Sequence, residues 1–204
     1  MIHPSTELRL VNPHVGYGVF ASKAIPTGTL VFVQDPLDIV ISPEQYQALN
    51  EISRQHAEKY SYLDARGYRI LSWDGAKYVN HSCAPNTMST GWGFEVAIRD
   101  IAAGEEITDE YGLFNLEWEM DCCCGHSSCR SRIRPGDAIE YARRWDKQLR
   151  RALQHVPMVE QPLLAQLDEV SHHSLQQYLN GTKRYRSVRH LLLKRAAADG
   201  NVAC

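Results

Sequence analysis

Three cysteines in the run Asp121-Cys122-Cys123-Cys124-Gly125-His126-Ser127-Ser128-Cys129 constrain this chain more than any other feature. Cys122, Cys124 and Cys129 are spaced Cys-x-Cys-x4-Cys, close enough for three thiolates to face one tetrahedral Zn²⁺ at about 2.3 Å each. A structural zinc takes four protein ligands, so a fourth must come from elsewhere, and Cys83, Cys123, His126 and Cys204 are the candidates. Gly125 can adopt a positive φ and let the backbone turn around a metal. Cys123, between two ligands, is expected to point away. Buried or redox thiols without metal are the competing reading, and neighbouring thiols are unfavourable to pack together without a cation. Adjacent cysteines also make a poor disulfide framework, so metal ligation in a reducing compartment fits better.

The rest of the 204-residue chain reads as one large domain, or one domain with a helical appendage. With 44% hydrophobic and 23% charged residues it can bury a core and keep a polar surface, which argues against disorder. No run approaches the roughly 20 apolar residues of a membrane span. The opening MIHPSTELRL lacks the apolar segment of a secretory signal. The expectation is therefore a cytoplasmic protein, or a nuclear one in a eukaryote, with no membrane partner. Net charge divides along the chain: residues 1–136 carry 11 Lys/Arg against 17 Asp/Glu, and residues 137–204 carry 11 against 7. A basic tail can meet an acidic partner or nucleic acid, but helices with solvated Arg faces are commoner.

From Leu8 to Ile41, short apolar runs alternate with Gly and Pro, predicting strands and tight turns. Ser42-Pro43-Glu44 reads as a helix start, and Tyr46, Leu49 and Ile52 are three apart, predicting one amphipathic helix that ends before Gly67. Strand-like pieces return at Tyr68–Trp73 and Phe94–Ile98, and residues 78–87 and 104–112 are polar loops. Helical spacing dominates from Asp137 through Arg195, where Leu149, Leu153, Leu163, Leu164 and Leu167 can pack helices against the domain or a second copy. Arg143, Arg144, Arg150 and Arg151 also recur near helical spacing. In Tyr78-Val79-Asn80-His81-Ser82-Cys83, a lone His is more often a hydrogen-bonded core residue than a catalyst. A Cys–His hydrolase pair is usually assembled from distant segments, which argues against that chemistry here. Folding this loop against residues 122–129 is one way to supply the missing ligand through Cys83.

Taken together, four segments resemble the SET-domain family. GYGVFASKAIPTGTLVF is similar to its opening glycine motif, YVNHSCAPN to its Asn-His-Ser-Cys signature, GEEITDEYG to its C-terminal tyrosine motif, and CCCGHSSC to the post-SET Cys-x-Cys-x4-Cys. They occur in family order over roughly residues 8–133, about two-thirds of the chain. The resemblance implies a mainly β fold of small sheets, the β-clip or SET fold, around a threaded C-terminal segment. It implies a SET domain over residues 8–112 with a helical insert at about 43–66, a post-SET zinc segment at 113–133, and a helical extension at 137–204. The threading runs against ordinary connection rules and rests on the resemblance alone.

The same resemblance implies an S-adenosylmethionine-dependent transfer of methyl groups to a lysine ε-amine in a histone or other basic protein. Gly16, Tyr17, Gly18, Asn80, His81, Tyr111 and Ile133 fall at the cofactor positions, and Tyr111 at the catalytic tyrosine, whose alternative is an ordinary core Tyr. Tyr78 and Asp109 fall on the substrate channel. Cys83 completes the ligand set of one structural Zn²⁺ with Cys122, Cys124 and Cys129. Glu105 and Glu106 match mainly structural positions, and Arg130 follows the last cysteine as is common there. Asp109 stands where many relatives carry Phe or Tyr, which leaves the degree of methylation open. No cysteine-rich segment precedes Leu8, and the helices after Ile133 have no counterpart in the minimal domain. Two other functions compete: a peptide-binding module that keeps the scaffold without turnover, and a zinc-organised nucleic-acid binder using the basic helices. Oligomeric state is left open, a dimer through those helices being one arrangement.

Overall fold

The computed structural model describes residues 1–193 of the chain. Strands β1 (Thr6–Asn12), β2 (Gly16–Ala21), β3 (Leu30–Phe32) and β4 (Ile39–Ile41) come first, followed by helices α1 (Pro43–Gln47) and α2 (Glu51–Tyr60). Then come β5 (Ser61–Leu63), β6 (Arg69–Leu71), β7 (Asn80–His81), β8 (Thr87–Ser89), β9 (Glu95–Ala97), β10 (Glu106–Asp109), β11 (Met120–Asp121) and β12 (Arg132–Ile133). Helices α3 (Asp137–Leu153) and α4 (Glu169–Leu179) close the described chain. The strands form small sheets in the orders β1-β2-β10-β7, β3-β9-β8, β4-β6-β5 and β11-β12. This is the mainly β architecture of small sheets with helical additions that the motifs imply.

Strands this short cannot bury a face alone, so the sheets lean on one another. β10 pairs antiparallel with β2 through Glu106 and Ile107, and parallel with β7 through Thr108–Asn80 and Asp109–His81. The loop leaving β7 then bonds the same strand again. The Asn86 side chain accepts from Thr108 N–H and donates to the Glu106 carbonyl, and the Thr87 hydroxyl donates to the Thr108 carbonyl. Residues 106–109 are thereby fixed against both polar motifs.

The predicted single helix after Ser42 is two. Ser42 and Gln45 form a capping box with Pro43 at the first position, but Ala48 N–H closes the helix onto Glu44 and Gln45. Asn50 then caps a new helix by accepting from Ser53 N–H at 2.8 Å. An Asn favoured as N-cap outcompetes the Tyr46/Leu49/Ile52 spacing, and Ile52 is left exposed. The helical segment ends at Tyr60, and residues 61–63 are a strand against β6.

After Gly136, α3 buries Ala138, Ala142, Trp145, Leu149, Ala152 and Leu153 on one face. These join Leu30, Met88, Phe94 and Val96 in one core that also takes Leu163 and Leu175, with Leu164 and Leu167 packed at its edge. The leucines are therefore spent inside the chain. Arg143, Arg144 and Arg151 stay in water, and Arg150 lies over the Tyr185 ring. Gly91 marks how closely the extension sits: a Cβ there would strike the carbonyl oxygens of Arg186 and Ser187. Gln161 and Asn115 stitch the seam, Gln161 to Leu30 N–H and the Gly28 carbonyl, Asn115 to Leu63, Leu191 and Leu193. No helix among the described residues is long and apolar enough to cross a membrane.

Candidate active site and metal centre

Cys83, Cys122, Cys124 and Cys129 converge, with all four sulfurs within 4.8 Å of one another. Cys122 Sγ lies 3.7 Å from Cys83 Sγ and 3.6 Å from Cys129 Sγ. Four sulfurs about 2.3 Å from a tetrahedral Zn²⁺ stand about 3.8 Å apart, so the spacing fits that ion. Main-chain N–H groups point at the sulfurs, Arg130 N at 3.3 Å from Cys83 and Ser131 N at 3.4 Å from Cys129, as suits thiolates. Against the effect of burial, main-chain N–H groups at Cys83 and His126, with the Cys129 and Cys122 thiols, bring the Cys124 thiol down to about 6. Of the other candidate ligands, Cys123 is exposed and outside the cluster, His126 Nδ1 faces Ser128, and Cys204 lies outside the described residues.

His81 connects this cluster to the tyrosine motif. Its Nδ1 is 3.2 Å from Tyr111 N and 3.0 Å from the Asp109 carbonyl, and its Nε2 is 3.4 Å from Cys83 Sγ. Burial, with the positive charge of Arg130, pushes its pKa down to about 4, so the ring is neutral at neutral pH. The Asp109 carbonyl also accepts from Ser82 N–H, so the ring, Tyr111 N–H and this carbonyl meet at one point beside the cluster. Asn80 Nδ2 donates to the Tyr17 carbonyl at 3.1 Å and to Glu106 at 2.7 Å. The Asn80 and Glu106 side chains, with Val11, fill the space a Cβ at Gly18 would need. That glycine is required by the protein's own packing. Ile133 is fully buried beside Cys83 and Cys122, with Tyr111 packed against the same cluster.

The Tyr111 hydroxyl donates to the Val79 carbonyl at 2.7 Å. Burial, then the charges of Asp109, Glu95 and Glu106, raise its pKa far above the usual phenol value, so the proton stays on. Arg130, beyond the zinc cysteines, bonds Glu110 at 2.5 Å and Asp137 at 3.1 Å and lies under the rings of Tyr141 and Trp145. One side chain thus ties the tyrosine turn, the cysteine cluster and the start of α3. Its neighbourhood after Cys129 was visible in the sequence; its two carboxylate partners were not.

A cavity of about 540 Å³ opens beside Tyr111, walled by Tyr60, Tyr62 and Phe114 and lined also by Val79, Glu95 and Asp109. Of the two residues expected on a substrate channel, Asp109 is among those lining this cavity and Tyr78 is not: its ring is held edge-on between Tyr17 and Tyr60, because the 3₁₀ turn Gly75–Tyr78 packs it toward the β2 sheet. Glu95 and Tyr62 line the cavity without having been singled out by sequence. A Glu inside the apolar stretch Phe94–Ile98 was the available signal for the first.

The model of the SET domain family matches residues 16–112. Residues 16–112 thus resemble a SET domain. Among curated proteins similar to this chain are the putative histone-lysine N-methyltransferase ASHH4 of Arabidopsis thaliana, 28% identical over 132 residues, and the histone-lysine N-methyltransferase Set2 of Drosophila melanogaster, 27% identical over 132 residues. Each alignment covers 58% of this chain, but 36% of the first relative and 6% of the second. The chain thus spans about a third or less of their length. A solved structure, the methyltransferase domain of human histone-lysine N-methyltransferase SETMAR, is similar with a TM-score of 0.45 and 16% identity, covering 65% of this chain and 58% of that one.

Proposed function

We propose that this chain transfers methyl groups from S-adenosylmethionine to the ε-amine of a lysine in a histone or another basic protein. The observation that carries the reading is the placement of Tyr111. Its side chain lines the aromatic cavity, and its backbone N–H reaches the cysteine cluster through His81. The curated names of the relatives, histone-lysine N-methyltransferases, agree with it.

On this reading Cys83, Cys122, Cys124 and Cys129 hold one structural Zn²⁺, whose four thiolates leave no open position for water or substrate. Gly16, Tyr17, Gly18, Asn80, His81, Tyr111 and Ile133 hold S-adenosylmethionine, which supplies a methyl on a sulfonium. Everything else falls to the chain. A free lysine has a pKa of about 10.4, and the amine must be neutral to attack. The Tyr60, Tyr62 and Phe114 walls take its aliphatic stem out of water and lower that pKa. Because the Tyr111 proton is committed to Val79, the hydroxyl oxygen faces the amine as an acceptor and aims its lone pair. Orientation then supplies much of the acceleration.

No nucleic acid is needed, and the C-terminal helices serve to brace the domain. Histones would be met in the nucleus, other basic proteins there or in the cytoplasm. The test is incubation with S-adenosylmethionine labelled in its methyl group, core histones and a cell lysate. Wild type is expected to label lysine, and Tyr111→Phe to lose about a hundredfold or more in rate while still binding the cofactor. Unchanged turnover in that variant would remove Tyr111 from the chemistry. Peptide binding without any transfer by wild type would favour a module lacking activity.

A further inference from the structure

Arginine is used differently in the two parts of the chain. Before residue 137 every arginine except Arg54 reaches a carboxylate. In the extension none does among the described residues, although Glu140 stands one helical turn before Arg144 and could pair with it. Helix α3 turns Arg143, Arg144, Lys147 and Arg151 to water, opposite its buried face, and between residues 143 and 151 it exposes no apolar side chain. Segment 184–189 lies alongside. Asp146 accepts from the Tyr185 hydroxyl and from Val188 N–H, each at 2.9 Å, and Arg189 donates to the Ile139 carbonyl at 3.2 Å. Exposed Arg184 and Arg186 are thereby held beside the cations of the helix, where Glu140 is the one exposed acid.

Cations crowded on one face repel one another, and a polyanion relieves that repulsion. The row from Arg143 to Arg151 is about 12 Å long and rigid, because the other face of α3 is locked into the core. Arginine predominates in it, and its planar fork grips phosphate oxygens in pairs. A protein partner would need an apolar centre, which this surface lacks. A single nucleic-acid strand would need open rings on which its bases stack, whereas Tyr141 and Tyr185 are half-buried and covered by Arg130 and Arg150. We infer that the outer face of α3, with residues 184–189, binds the phosphate backbone of double-stranded DNA without reading its sequence. Methyl transfer itself does not require this contact, so the inference stands apart from the methyltransferase reading.

Fluorescence anisotropy with two short labelled DNA duplexes of unrelated sequence tests it. Wild type is expected to bind both equally and to lose about a hundredfold in affinity between about 50 and 200 mM salt, as suits about four phosphate contacts. Arg143→Gln, Lys147→Gln and Arg186→Gln together should lower affinity at least about tenfold at the lower salt and flatten the salt dependence. Arg9→Gln, Lys23→Gln and Arg66→Gln remove as much charge from exposed positions elsewhere and should leave affinity unchanged. No binding by wild type at the lower salt, or equal losses in the two triple variants, would overturn the inference. So would tighter binding to single strands. Displacement of the duplex by polyglutamate as readily as by unlabelled duplex would overturn it too, in favour of an acidic protein. Thermal melts establish that the variants are folded; should the first not be, the wild-type salt series and the competition decide the matter.

Discussion

Four thiols, one imidazole and one phenol make the site a chain of short contacts, and each link has a separable consequence. Cys83→Ser removes a corner of the tetrahedron and should lower bound zinc from one ion per chain to well under one, whereas Cys123→Ser, exposed and outside the cluster, should leave it unchanged. Metal analysis of the two purified variants decides this, and equal zinc loss in both would contradict the ligand set. The carboxyl pair has a pH signature. Glu95 and Asp109 both have raised pKa values, so the folded chain holds protons that the unfolded chain releases. Stability accordingly falls as pH rises from the ordinary carboxylate range through the folded pKa values. Glu95→Gln should flatten that fall and raise the melting temperature by a few degrees near neutral pH, with little effect near about pH 4. Thermal melts across that range check it; a larger gain at the acid end would reverse the sign argued here.

Among the elements, α4 offers the cleanest test of local chemistry. Asp168 caps it, accepting from Val170 N–H at 3.0 Å and Ser171 N–H at 2.9 Å. Asp168→Ala should cost about 1 kcal/mol in chemical denaturation. Burial alone would raise the Asp168 pKa, but these bonds hold it below its ordinary value, so the cap's contribution persists at neutral pH and fades as pH falls through that lowered pKa. Caps also explain what was legible in the sequence. Ser42-Pro43 announced α1, and Gly-flanked β-branched runs announced the strands around residues 69–71 and 95–97. Asn50 was equally visible, yet the three-residue apolar spacing overrode it and merged two helices into one. Contacts set by the tertiary fold were not legible: nothing local to Arg130 points to Glu110 and Asp137, and nothing local to Tyr78 says that Tyr17 and Tyr60 enclose it. The spacing of Cys122, Cys124 and Cys129 said only that a fourth ligand was needed, with Cys83 one of four candidates, and the family resemblance singled it out.

For the molecule as a whole, the helical extension and the sheets share one core, with Trp145, Leu149 and Leu153 packed among Leu30, Phe94 and Val96. Truncation after Gly136 strips that face, and the shortened chain should aggregate or lose cooperative unfolding. Scanning calorimetry of the truncated chain would show no sharp transition; a wild-type melt would mean the extension is dispensable. The broader claim is that one zinc clamps residues 120–133 over His81 and Tyr111 and so completes the methyl-donor pocket. Calorimetric titration of S-adenosylmethionine into the zinc-loaded chain, the chelated chain and the chain resupplied with zinc tests it most directly. The account predicts one-site binding, loss of at least about tenfold in affinity on chelation, and recovery with zinc. Equal affinity with and without the ion, or no binding in any of the three, would contradict it.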